Sequence, residues 1–140
     1  MRGRCLCGAV HIEVSGHKPA VSLCHCKMCR LWTGSVFACL EVPSGSVRAD
    51  GPSKLWNSAI AERAWCETCG SHLWVRDTDT ADAPFDLVPG LFDDARNFPL
   101  DREVYADRAP VWATLAGDHP RVTAAAYEQT HSFISDGDMP

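Results

Sequence analysis

The chain is predicted to fold as an all-β domain of antiparallel sheets with short helical turns, and three observations predict it. Short segments alternate apolar and polar residues with the period of two that a half-buried strand requires. Turn-forming residues punctuate them, at Pro43-Ser44-Gly45, at Asp50-Gly51-Pro52 and along 77–82. Hardly any stretch sustains a helical period. The 140 residues, 46% of them hydrophobic, suit one domain with a modest core. That domain is placed at 1–131, and the polar, acidic stretch 132–140 is expected to fray.

In chain order, Val10, Ile12 and Val14 alternate with His11 and Glu13 to give the first predicted strand, 8–15. Further strands are predicted at 35–42, 59–65, 71–76 and 84–91, and one helical turn at 27–32. The net charge of −5 and the absence of any Lys or Arg run argue against a nucleic-acid surface. The longest apolar run, 36–40, is far too short to span a membrane. His11 and Glu13 interrupt the segment where a signal peptide would be apolar, so a cytoplasmic location is expected. Thiols stay reduced there, and clustered cysteines read as metal ligands.

Seven of the eight cysteines fall into three clusters: Cys5-Leu6-Cys7, Cys24-His25-Cys26-Lys27-Met28-Cys29 and Cys66-Glu67-Thr68-Cys69. Sulfurs two or three residues apart can aim at one point about 2.3 Å away, as tetrahedral zinc requires, whereas such close neighbours make poor disulfide partners. Cys66-x-x-Cys69-Gly70 is the pattern of a zinc knuckle, and Cys5-x-Cys7-Gly8 is a tighter version of it. Joined, the two pairs make a closed four-thiolate structural site. Cys24, Cys26 and Cys29 remain as a three-thiolate site whose fourth position is open. The expected cofactor is therefore zinc, two per chain, one structural and one catalytic. Three thiolates make zinc a weak Lewis acid, poorly suited to generating hydroxide and well suited to holding a soft substrate thiol as its thiolate. Carbon–sulfur bond making or breaking follows more naturally than hydrolysis.

His25, between two ligands, is open to three readings: a fourth ligand, a proton carrier, or a side chain facing away, as adjacent residues on an extended segment do. Lys27 and Arg30 bracket the third cysteine, where they could donate to the thiolates, attract a substrate carboxylate, or remain solvated charges. Cys39 reads as an inert buried thiol, and the tryptophans as core and sheet-surface residues, with Trp32 and Trp65 nearest the metals.

The chain resembles the glutathione-dependent formaldehyde-activating enzymes, or S-(hydroxymethyl)glutathione synthases, a family with a centromere-protein branch. The likeness rests on Gly3-x-Cys5-x-Cys7-Gly8-x-Val10, Cys24-His25-Cys26-x-x-Cys29-Arg30 and Trp65-Cys66-x-x-Cys69-Gly70-x-x-Leu73, in the family's order. Weaker similarity continues through Gly90-Leu91-Phe92-Asp93-Asp94, Ala109-Pro110 and Asp118-His119-Pro120. The resemblance implies a zinc-binding β-tent, the same division of cysteines, and addition of the glutathione thiol to formaldehyde. The chain departs from the family at Glu103-Val104-Tyr105, where a histidine is common, so its ligand is expected to differ if that histidine binds substrate. The leading expectation is a zinc-dependent carbon–sulfur lyase taking a small thiol such as glutathione or its hydroxymethyl adduct. The alternatives are a non-catalytic zinc scaffold or docking module, and an iron site of rubredoxin type.

Overall fold

The structure is a computed structural model that describes residues 1–139. Eleven strands follow one another as β1 (Arg2–Arg4), β2 (His11–Val14), β3 (Val21–Cys24), β4 (Phe37–Val42), β5 (Val47–Asp50), β6 (Ser53–Asn57), β7 (Ala61–Cys66), β8 (His72–Asp77), β9 (Phe85–Leu87), β10 (Leu100–Val104) and β11 (Arg121–Val122). Two short helices accompany them, α1 (Lys27–Thr33) and α2 (Ala124–Tyr127). The expected all-β class is what the chain adopts. Strands β1, β2 and β5 form a three-stranded antiparallel sheet, and the other eight form a second sheet in the order β11-β10-β3-β4-β9-β8-β7-β6. Two joins of that larger sheet are parallel, β10 to β11 and β10 to β3; the rest are antiparallel.

The period-two pattern decides which side chains meet. On β2, Ile12 and Val14 are buried while His11 and Glu13 face solvent. Across the large sheet the registers Leu40↔Leu87, Trp74↔Leu87 and Ala64↔Trp74 align one face, and it packs with Ile12 and Val14 into the main core. Burial of such side chains stabilises the fold by about 1.5–3 kcal/mol each. The opposite face carries the odd-numbered residues of β4, β7 and β8: Phe37, Cys39, Ala61 and Val75 form a second, smaller cluster with Cys29 of α1. A change of one residue in register would exchange the two faces.

Helix α1 is short because its ends are fixed locally. Cys26 caps its start, the sulfur accepting the Cys29 N–H at 3.4 Å, and Gly34 ends it at φ 74°, its N–H donating to the Arg30 carbonyl at 2.9 Å. Among the described residues no helix is long and apolar enough to cross a membrane.

Candidate metal centres and pocket

Two turns of similar build present the four-cysteine group. In the first, which follows β1, Cys5 N–H donates to the Val10 carbonyl and Val10 N–H donates to Cys5 Sγ at 3.2 Å. In the second, at the end of β7, Cys66 N–H donates to the Ser71 carbonyl and Gly70 N–H to the Cys66 carbonyl. Gly8 and Gly70 close the turns at φ 79° and 73°, a left-handed conformation that a Cβ disfavours. Cys5, Cys7, Cys66 and Cys69 bring their sulfurs within 4.8 Å of one another. Cys5 Sγ to Cys7 Sγ is 3.5 Å and Cys7 Sγ to Cys66 Sγ is 3.9 Å. Those spacings bracket the roughly 3.8 Å edge of a tetrahedron with 2.3 Å zinc–sulfur bonds. The donor set therefore fits a closed metal site joining the small sheet to the large one. The Ser71 hydroxyl and backbone and the Cys7 N–H hold the Cys69 thiol down, to about 5, which favours the ligating thiolate.

Cys24, at the end of β3, Cys26, at the cap of α1, and Cys29, one turn further, form the second group, again within 4.8 Å. The neighbouring Cys24 and Cys29 thiols pull Cys26 down to about 3; burial opposes this, and the Cys29 N–H and the Arg63 charge assist. Cys24 and Cys29 shift the opposite way, as three close thiols that compete to ionise must. This trio opens on a cavity of about 280 Å³. Both cysteine groups can bind metal ions, and their all-thiolate character is consistent with zinc.

The sheet face that carries the second cluster is also the floor of this cavity. From one side to the other it presents Arg102 and Val104, Cys24, Cys39 and Glu41, Asp86, Val75 and Asp77, and Ala61 and Arg63. Asp86 is pushed up to about 7 by its burial and by the charges of Glu41 and Asp77, against the pull of a bond to Cys39 and the charge of Arg102. Burial also raises the Cys39 thiol well above its usual range. The stretch expected to fray contributes to the walls: Phe133, Ile134, Asp136 and Met139 line the cavity. Lys27 Nζ donates to the Asp136 carbonyl at 3.1 Å, and Ser132 Oγ donates to Asp79 at 3.2 Å.

The other expected site residues are placed apart from the sulfurs. His25 is fully buried, with no ring nitrogen in reach of all three thiols. Its Nε2 donates to Glu103 at 2.6 Å on the opposite side of the sheet, so of its three readings the side chain facing away is the one that the geometry fits. His119 donates to the other oxygen of the same carboxylate, and Arg121 lies 3.4 Å from it. Burial raises the Glu103 carboxyl, but the His119 and His25 bonds outweigh it and hold it below the ordinary range. Glu103 does not line the cavity, so the departure from the family pattern lies behind the pocket wall. Arg30 donates to the His25 carbonyl at 3.0 Å and does not line the cavity, while Lys27 does. Trp32 stacks on His72 with ring centroids 4.1 Å apart, beside the second cysteine cluster. Arg63, Asp86 and Arg102 escaped sequence reasoning; the one signal of Arg63 and Asp86 was a charged residue at an inward position of an otherwise apolar strand pattern.

These features define a two-sheet β protein with one closed four-cysteine group and one three-cysteine group open on a pocket. It belongs to the glutathione-dependent formaldehyde-activating enzyme family, which matches residues 1–108. The chain is similar to a Schizosaccharomyces pombe protein named as an uncharacterized lyase, 34% identical over 111 residues, 77% of this chain and 80% of that one. A Rhodobacter sphaeroides protein of known crystal structure shares the fold at 21% identity and TM-score 0.56, covering 71% of this chain and 99% of its own.

Proposed function

We propose that the protein is a zinc-dependent carbon–sulfur lyase that binds a small thiol, such as glutathione or its hydroxymethyl adduct, in the cavity at Cys24, Cys26 and Cys29. The observation that carries this reading is the contrast between the two cysteine groups: one presents four sulfurs and is closed, the other presents three and faces a cavity. A zinc held by the three would supply a position for a substrate sulfur and lower that thiol's pKa. Of the chain's own groups, Asp86 is suited to take up and return the hydroxyl proton of the adduct, because a carboxyl near 7 exchanges protons readily at neutral pH. Phe37 and Val104 line the cavity with the tail residues Phe133 and Ile134, apolar surface that limits water around the sulfur. Cysteines clustered as metal ligands suit a reducing cytoplasm. Membership of the family and the lyase name of the fission-yeast relative support the reaction class.

The test is metal content per chain, combined with zinc-edge X-ray absorption before and after adding glutathione to protein purified without chelator. Two zincs are expected, one of them changing from three sulfurs and a light atom to four sulfurs. A single zinc, or two that ignore the thiol, would refute the reading.

A further inference from the structure

Arg63 is a buried cation whose charge favours the Cys26 thiolate, but whose hydrogen-bond donors the metal centres and the proposed chemistry leave without a task. It lies on β7 at an inward position, is 3% exposed, and lines the same cavity as Cys24, Cys26 and Cys29. A guanidinium carries five N–H donors, and burying its charge without a counter-charge costs several kcal/mol. The partners of Arg63 are poor ones. One terminal nitrogen reaches the Ser58 hydroxyl at 3.4 Å, the other the Met28 sulfur at 3.8 Å, and the Trp56 ring centroid is 5.8 Å from its Cζ. Among the described residues, none of the ion pairs within 4.0 Å includes Arg63, whereas Arg102 on the far side of the floor approaches Glu41 at 3.6 Å.

Its position is not accidental to the strand. The cross-strand partners Trp56 and Val75 flank it on β6 and β8, and Ala61 precedes it on the same face, so small and flat neighbours leave the guanidinium space toward the cavity. Met28, which it touches, lies in α1 between two of the three cysteines. A ligand whose sulfur sits at the trio would therefore extend along the floor toward a planar cation with unused donors. The group that matches such a fork is a carboxylate, which accepts two parallel N–H bonds.

We infer that Arg63 is the anchor for a carboxylate of the substrate, so that the cavity selects thiols that also carry a carboxylate over neutral thiols. This rests on the thiol-binding reading above and adds the second point of attachment. A competing role would be purely electrostatic, Arg63 offsetting the negative charge of a metal held by three thiolates, and that role makes no distinction between charged and neutral thiols.

Isothermal titration of the zinc-loaded protein with mercaptopropionate and with its uncharged amide separates the two. The wild type is expected to bind the carboxylate about 10- to 100-fold more tightly, the range of a charge-assisted hydrogen-bonded pair. In Arg63→Gln that ratio should fall to near one with the affinity for the amide retained, and Arg63→Lys should restore part of the preference. Arg63→Lys also serves if the glutamine variant fails to fold, since loss of the bidentate fork alone should narrow the ratio. Equal affinities in the wild type would overturn the anchor and leave the thiol site standing. Equal weakening of both thiols in Arg63→Gln would assign the residue to the metal's charge instead. If neither thiol binds, the thiol reading falls and takes the anchor with it.

Discussion

Replacing Asp86 by asparagine tests whether the cavity floor holds a carboxyl far from its ordinary state. In the folded chain Asp86 titrates near 7, chiefly because burial disfavours its charged form, with Glu41 and Asp77 adding to the effect. The reference value is 3.8. The native state therefore binds more protons than the unfolded state between those two values, and stability falls as pH rises through that window. A shift of about three units amounts to about 4 kcal/mol, of which roughly half or more develops between pH ~5 and pH ~8. Asparagine does not ionise, so the variant escapes this loss. Urea denaturation of wild type and Asp86→Asn at fixed free zinc should show the variant gaining about 2–3 kcal/mol on the wild type across that range. Comparing the two proteins cancels the protonation of the thiolates. A difference that stays flat with pH would refute the reasoning, as would a carboxyl titrating near 4 in a carbon-13 NMR experiment with the Asp86 signal assigned from the variant. The proton-transfer role proposed for Asp86 would fall with it.

Two further expectations follow from the geometry. Cys66→Ser should release the structural metal and unfold much of the chain, because the free energy of a closed site is folding free energy, whereas Cys29→Ser should leave a folded protein lacking one metal. Zinc content and far-ultraviolet circular dichroism check this, and identical unfolding of both variants would contradict the division of the cysteines. Glu103→Ala should cost about 3–5 kcal/mol in a denaturation experiment, since it strands His25 and His119 around a buried position without their shared acceptor; a loss below about 1 kcal/mol would show that the carboxylate is dispensable.

The five predicted strands each overlap an observed one, β2, β4, β7, β8 and β9, because each carries buried apolar side chains within a strand-length segment; β7 and β8 run one residue further than expected. The stretch 84–91 is shorter in strand than expected: pairing stops at Leu87, and Pro89–Leu91 forms a 3-10 turn. Of the six missed strands, four lack that signal for identifiable reasons. Every residue of β6 is exposed, β10 carries three consecutive charged residues, and β1 and β11 are three and two residues long. In β10 two of those charges are used, Glu103 toward His25 and Arg102 toward the cavity, so polar residues occupy positions that a hydrophobic pattern cannot reveal.

The sequence by itself determined the local cysteine pairs and trio and the helical turn on the second cluster, while the meeting of Cys5 and Cys7 with Cys66 and Cys69 waited on the packing of the two sheets. Ligands two or three residues apart meet through local turn geometry, and a Cys-capped turn ending at Gly34 needs no distant partner. Tertiary structure decided which charges face the cavity, that His25 turns to Glu103, and that Phe133, Ile134 and Met139 line the cavity. Strand order is responsible: Arg63 and Asp86 lie on the consecutive run β7-β8-β9, but Arg102 shares their surface only because β9 pairs with β4 and β10 with β3, strands far apart in sequence. A period of two fixes which residues share a face of one strand and carries no information about which strand lies beside it.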